Sequence, residues 1–338
     1  MRLRRAVPGL VLALALVGLL LYGVGWEEVL ANLERAEPAP LAAAVVAGGT
    51  VLALRGAIVH RLLGPVEGAA RGWPFALAFL SGYFARSALP WGRSVGTPIT
   101  AYLLAASSES EFEDNLAVVA TAEVFAFLAS IVVALVGLSV YVLGGDVPGD
   151  LLTNLALVAG GSVLVVLTVA IAIARGWVQP FLFGLAARLE SLAARLPRLA
   201  ASEGALQARL AGFFTTLERI GAARRTLAAA FAIALASWLV NALPLYFALL
   251  ALSVDAPLAL AFAVAPLASF GGVLPLPGGT GGIEAVLTAL LVALAGVTGD
   301  VAAATAVLYR LSTYWLHLTG CGLAALFLSA TGGPSMVD

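Results

Sequence analysis

The 338 residues are 62% hydrophobic and 11% charged, with a mean hydropathy of +1.03. Soluble domains carry roughly 25% charged and about 45–50% apolar residues, so a water-soluble globular chain is excluded. Eighteen basic residues, all of them arginine, nearly balance nineteen acidic ones to a net charge of −1, which argues against a nucleic-acid partner. One cysteine, Cys321, and two histidines, His60 and His317, exclude an internal disulfide and leave too few ligands for a usual structural zinc site. No metal or other cofactor is expected.

A bilayer core about 30 Å thick takes about 20 helical residues to cross. Apolar runs of that order lie at 6–26, 39–63, 116–143, 153–174, 226–252 and 301–330. The first follows Arg2, Arg4 and Arg5 with no small-residue cleavage site after it, so it reads as an anchor with a cytoplasmic N-terminus rather than a signal peptide. Glu27, Glu28, Glu34 and Glu37 against Arg35 then suit the outer side, and Arg61 and Arg71 against Glu67 the inner side.

Residues 75–104 form a long apolar stretch broken by Leu89-Pro90-Trp91-Gly92-Arg93-Ser94-Val95-Gly96-Thr97-Pro98. Proline removes a donor and glycine frees the backbone; unwound chain at membrane depth must be enclosed by protein or face a watery cavity. The stretch is therefore either a kinked spanning helix or a re-entrant hairpin. Beyond the acidic patch Glu109, Glu111, Glu113 and Asp114 and the runs at 116–143 and 153–174 comes the connection at 175–225. It carries Arg175, Arg188, Arg195, Arg198, Arg209, Arg219, Arg224 and Arg225 against Glu190, Glu203 and Glu218, the strongest cytoplasmic marker in the chain. Leu182, Leu185, Leu189, Leu192, Leu196 and Leu199 recur there at helical spacing, the pattern of an amphipathic helix on an anionic membrane surface, broken near Pro197. A second helix is expected through Leu206, Leu210, Phe213, Leu217 and Ile220. A second broken stretch, 256–297, contains Leu274-Pro275-Leu276-Pro277-Gly278-Gly279-Thr280-Gly281-Gly282 between Asp255 and Asp300.

Loop charge decides between the two readings of the breaks. A crossing at 75–104 would place 175–225 outside; a hairpin entering and leaving on the cytoplasmic side places it inside, as its arginines require. The expected fold is thus an all-α integral membrane protein of six full transmembrane helices and two re-entrant hairpins, with eight spanning helices as the alternative. Span, span, inner hairpin, span over 1–143 is followed by span, span, outer hairpin, span over 153–330. The halves are inverted, the plan of transporters whose Gly/Pro-interrupted segments mark a binding site near the midplane. Leu-Pro opens both breaks, Glu123 lies 33 residues after Pro90, and Arg310 lies 35 after Pro275.

Arg310 lies about ten residues inside the final run. A lone arginine at the bilayer centre costs at least ~2.5–3.5 kcal/mol, so it needs a partner or a cavity. Glu123, Glu284 and a lipid phosphate are the candidates; the competing readings are a fixed internal ion pair and a headgroup site. Arg86 and Arg93 flank the first break, where they either draw in an anionic headgroup or snorkel to the inner surface. Glu284 is expected in the first turn of a short helix, as a cap or as a group titrating with a coupling proton. Amides of Gly278, Gly279, Gly281 and Gly282 are candidates for holding a phosphate at that helix start. Arg55 is placed to contact lipid or the acidic loop, Arg61 to anchor at the interface, His317 to pack, and Asn241 with Pro244 to mark a kink with a polar contact.

Gly82 to Leu103, the Glu123 region, Leu274-Pro275…Gly278-Gly279…Gly281-Gly282-Ile283-Glu284 and Tyr309-Arg310-Leu311 resemble the transmembrane, flippase-like part of lysylphosphatidylglycerol synthases over nearly the whole chain. The first motif departs from the family's Pro-Gly-hydrophobic-Gly-Glu pattern, since Trp91-Gly92-Arg93-Ser94-Val95-Gly96-Thr97 has no acid, and the family's Glu-Arg pair is here Glu123-Val124. With the last run ending shortly before Asp338, no synthase domain is expected. The resemblance implies a stand-alone translocator of an anionic or headgroup-modified lipid, phospholipid or polyprenyl-linked; loop charge and span order place it in the cell membrane with both termini cytoplasmic. The headgroup would pass Arg86 and Arg93 to Arg310, which Glu123 neutralises when the site is empty. The rival class is a non-transporting scaffold holding a glycosyltransferase or lipid-modifying enzyme through 175–225. No Walker A pattern, Gly-x-Ser-x-Gly or metal-ligand spacing points to an enzyme.

Overall fold

The computed structural model describes residues 26–144, 177–193, 205–273 and 275–331, with isolated positions between 153 and 175. The expected spans at 6–26 and, for the most part, 153–174 lie outside these residues, as does the break expected near Pro197. Every regular element among the described residues is helical.

Helix α1 (Trp26–Arg35) has Glu27 and Glu28 in its first turn and Arg35 in its last, each sign at the favourable end of the dipole. Helix α2 (Pro38–Leu62) opens on proline, whose missing N–H costs nothing there. At its far end Arg71 donates from Nη2 to the Leu63 carbonyl at 2.8 Å, satisfying an acceptor that the helix leaves open.

The first broken stretch is a pair of short helices, α3 (Gly72–Ala88) and α4 (Gly92–Ala106), packed side by side. Glu109 N–H donates to Gly68 O at 3.0 Å, so the pair leaves and re-enters the same end of the bundle. That end also carries the arginine-rich connection. Helix α5 (Phe112–Gly144) begins with Glu113 and Asp114; after α6 (Val178–Ala193), helix α7 (Ala205–Ala222) docks on them. Arg209 Nε lies 3.3 Å from Glu113 Oε1, and buried Thr216 donates to Asp114. The acidic patch is thus the receptor for the basic connection, a pairing that sequence order alone did not reveal. Thr216→Val should strand Asp114 at the contact, a loss of about 1 kcal/mol; amide hydrogen exchange in 205–222 should rise while α2 and α8 remain protected.

Helix α8 (Arg224–Ala251) runs unbroken through Pro244 along α2 and ends where Glu37 N–H donates to Ala251 O at 2.8 Å. The second broken stretch comprises α9 (Leu258–Ala268), two short 3₁₀ turns, and α10 (Gly282–Ala295). Its far end lies beside the end of α5, where Tyr141 Oη donates to Leu294 O at 2.5 Å. This unit therefore starts from and returns to the end opposite the first. There Asn32 of α1 donates to Asp300 at 2.9 Å. The final segment is α11 (Gly299–Arg310), a π-helical turn (Leu311–Trp315) and α12 (Leu316–Ala330).

Among the described residues, five helical segments are long and apolar enough to cross a membrane: Pro38–Leu62, Phe112–Gly144, Arg224–Ala251, Pro277–Ala295 and Gly299–Ala330. Val132, Val136 and Val140 on α5 and Leu323, Leu326 and Phe327 on α12 are exposed, apolar surface of the kind that hydrocarbon covers in a multi-pass membrane protein.

Candidate functional site

The two breaks meet. Helix α3 packs against the 277–279 turn, and Tyr314 of the π-turn donates to Ser87 O, at the end of α3, at 3.2 Å. Gly278 adopts φ 58°, and a Cβ there would overlap the Tyr314 ring. Only glycine takes both the left-handed backbone and the close approach without strain.

Arg310 anchors this junction. Its Nε donates to Glu284 Oε1 at 2.9 Å, its Nη2 to Gly278 O at 2.9 Å and to Thr280 Oγ1 at 3.4 Å, and its guanidinium lies 4.1 Å from the Tyr314 ring centroid. Glu284 Oε2 accepts Gly281 N–H at 2.7 Å, so one carboxylate both caps α10 and neutralises Arg310. Both residues are buried, at 5% and 6% exposure. The expectation that Glu123 neutralises Arg310 is corrected: Glu123 on α5 pairs with Arg86 on α3. Gly96 explains why Arg86 holds that position. A Cβ at Gly96 would come 2.6 Å from Arg86 Cβ, so its absence lets α4 press directly on the arginine's stem.

Arg55 turns to Tyr83 rather than to the acidic loop. It donates from Nη1 to Tyr83 Oη at 2.7 Å, and its guanidinium lies 5.8 Å from that ring's centroid, the same separation as Arg86. Arg55, Arg86 and Arg310 thereby face one cavity of about 490 Å³, bounded also by Tyr83, Asn241 and Tyr309. A smaller cavity of about 100 Å³ shares the wall of Arg55, Tyr83, Arg86 and Trp238; Glu123, Val119, Phe127 and Phe270 line it further out.

Of the residues picked from sequence, Arg86, Arg310, Gly278 and Gly279 line the large cavity and Glu123 the small one. Glu284 stands behind Arg310, and Gly281 and Gly282 are off the cavity wall. The amides of Gly279 and Gly281 are already donated, to Leu276 O and to Glu284, so the expected amide cradle for a phosphate is not formed by them. The Arg93 side chain lies outside what the structure describes. His317 packs: its Nε2 lies 2.8 Å from Gly48 O, and its ring meets Tyr83 edge-on at 5.6 Å between centroids. Asn241 makes a polar contact by donating to Tyr309 Oη at 3.2 Å.

Sequence reading missed Tyr83, Trp238 and Tyr309 as wall residues and undervalued Arg55. Its depth in an apolar run was the available signal, because an intramembrane cation is a site candidate by default. The aromatic residues carried none, since aromatic positions in apolar helices are ordinary core.

A family model of the lysylphosphatidylglycerol synthase TM region matches residues 7–321, taking in both breaks, Arg86, Glu123 and Arg310. The chain belongs to that family. A UPF0104 membrane protein of Methanothermobacter thermautotrophicus is similar along its length, 26% identical over 320 residues that cover 90% of this chain and 89% of the relative. As a member of the family, the chain is a multi-pass membrane protein, and its cavity lies within the matched region.

Proposed function

We propose that this protein translocates an anionic or headgroup-modified lipid, phospholipid or polyprenyl-linked, between the leaflets of a cell membrane. The observation that carries the reading is the cavity walled by three arginines where the two hairpin tips meet. Transfer of a charged headgroup through hydrocarbon is slow because desolvation is costly. A polar cavity supplies substitute contacts, and the adjoining apolar pocket at Val119, Phe127 and Phe270 offers a path along which the tail stays in contact with lipid.

The membrane architecture proposed with it is six spans and two re-entrant hairpins in an inverted repeat. At 1.5 Å per residue α3, α4, α9 and α10 are about 26, 22, 16 and 21 Å long, short of the ~30 Å core. The 277–295 segment reaches spanning length only by counting its tip. The return of each pair to its own end, one arginine-rich and one acidic, supports opposite hairpin orientations. The positive-inside rule then puts the arginine-rich end and both termini in the cytoplasm. The protein acts as a transporter rather than an enzyme in this reading, and a lipid-modifying enzyme or glycosyltransferase would meet it, if at all, at the docked connection.

Leaflet exchange of fluorescent phosphatidylglycerol in proteoliposomes tests the proposal. Wild type should exceed protein-free vesicles. Ser94→Trp, which fills the cavity from an exposed position at the start of α4, should fall to the protein-free rate. No exchange by folded wild-type protein, with phosphatidylglycerol or a polyprenyl-phosphate sugar, would sink transport in favour of the scaffold.

A further inference from the structure

We infer that Arg55 and Tyr83 form the site that receives the phosphate of the transported headgroup, and that the site is matched to a phosphodiester carrying a single negative charge. This deepens the lipid-transport reading and rests on it. The argument is a count of charges and donors. Arg310 is spoken for: Glu284, Gly278 and Thr280 occupy its guanidinium, and Tyr314 covers one face. Arg86 is paired with Glu123. Among the described residues Arg55 has no carboxylate within ion-pair distance, and its one hydrogen bond goes to a neutral phenol. Among the described side chains of the cavity walls, three guanidinium groups set against Glu123 and Glu284 leave one positive charge uncompensated.

The donors point the same way. Tyr83 Oη accepts from Arg55, so its own proton is free to be donated; no acceptor for it, nor for the remaining N–H groups of Arg55, occurs among the described residues. Tyr309, which accepts from Asn241, brings a second hydroxyl to the same cavity. His317 competes for nothing there, with Nε2 committed to the Gly48 carbonyl. A guanidinium fork beside a phenolic O–H suits two oxygens of one phosphate, the arrangement for which arginine is preferred over a point charge. Arg55 also stands on the wall common to both cavities, so a phosphate bound there has room for its polar substituent in the larger cavity, while the smaller one is lined by the half-exposed rings of Phe127 and Phe270. One net charge favours a diester monoanion over a pyrophosphate, which would bring a second charge without a partner.

The shared chemistry is a phosphate oxyanion, and its source is either a lipid headgroup or free phosphate. The test titrates the purified full chain with dihexanoyl phosphatidylglycerol, dihexanoyl phosphatidylcholine and inorganic phosphate, following the fluorescence of the cavity tryptophans Trp91 and Trp238. Phosphatidylglycerol should bind best. Arg55→Gln should weaken its binding about tenfold, the worth of a charge-assisted hydrogen bond, and narrow its advantage over phosphatidylcholine, whose equal phosphodiester comes with a quaternary ammonium that an uncompensated arginine repels. Arg55→Lys, which keeps the charge but loses the fork, should recover only part of the affinity and shows that the fold tolerates change there. Equal affinity in wild type and Arg55→Gln would overturn the site. Inorganic phosphate binding as tightly as the lipid would overturn the lipid source. Leaflet exchange on the same preparations separates the two ideas. Arg55-dependent binding with no exchange keeps the site and sinks transport, whereas phosphatidylglycerol exchange indifferent to Arg55→Gln keeps transport and sinks the site.

Discussion

Arg310→Gln should cost about 3–5 kcal/mol of stability, because it leaves the Glu284 carboxylate buried without its counter-charge. Glu284→Gln should cost a similar amount, since it strands Arg310 and weakens the cap on Gly281. The double variant Arg310→Met/Glu284→Leu should be more stable than either single one, as removing both charges of a buried pair also removes the desolvation penalty. Thermal unfolding of the three variants in one detergent checks the order; a double variant with the summed loss of the singles would show that the pair is not coupled. Loss of lipid exchange in Arg310→Gln then reports a hairpin tip released from its anchor, and the contribution of an anion site is read at Arg55 instead.

Gly278→Ala should be among the most damaging small substitutions in the described residues. The position combines φ 58°, at which a side chain is strained, with a Cβ that would overlap the Tyr314 ring. Left-handed strain and overpacking each cost on the order of 1–3 kcal/mol. Tyr314 cannot simply swing away, for its hydroxyl holds Ser87 O and its face covers Arg310. Gly49→Ala is the control: nothing lies within 4 Å of a Cβ there, so it should be neutral or gain about 0.5–1 kcal/mol from helix propensity. Equal melting temperatures for Gly278→Ala and wild type would show that the tip yields without cost.

Some of the site was legible because its physics is local. A deep arginine in an apolar run demands a partner wherever it sits, so Arg310 stood out from the sequence as a cation needing one, whereas Arg86 stood out only as flanking the first break. Clustered glycine and proline interrupt a helix, so the helix ends at Ala88 and Ala268 fall at or just before the breaks read from the sequence, whereas Pro98 and Pro244 sit inside α4 and α8. Partner choice was not legible. The sequence offers both Glu123 and Glu284 as carboxylates for Arg310, and the assignment follows from which helix presses on which. Gly96 admits α4 against Arg86 and leaves that residue facing α5, while the turn at 277–281 brings the start of α10 to Arg310. Nothing in sequence order likewise paired the acidic patch at 109–114 with the basic connection; that contact exists because α7 docks on Glu113 and Asp114.

By itself the sequence determined that this is a multi-pass helical membrane protein, where its helices break, and which cations lie too deep to reach water, because hydropathy, backbone chemistry and desolvation act on a residue without reference to its neighbours. Only the tertiary structure decided that the two breaks meet, that Arg310 and Arg86 are neutralised in place by different acids, and that Arg55 faces the cavity with a phenol for company. Those outcomes depend on contacts between residues far apart in the chain, set by which helix surfaces come within a few ångströms of one another.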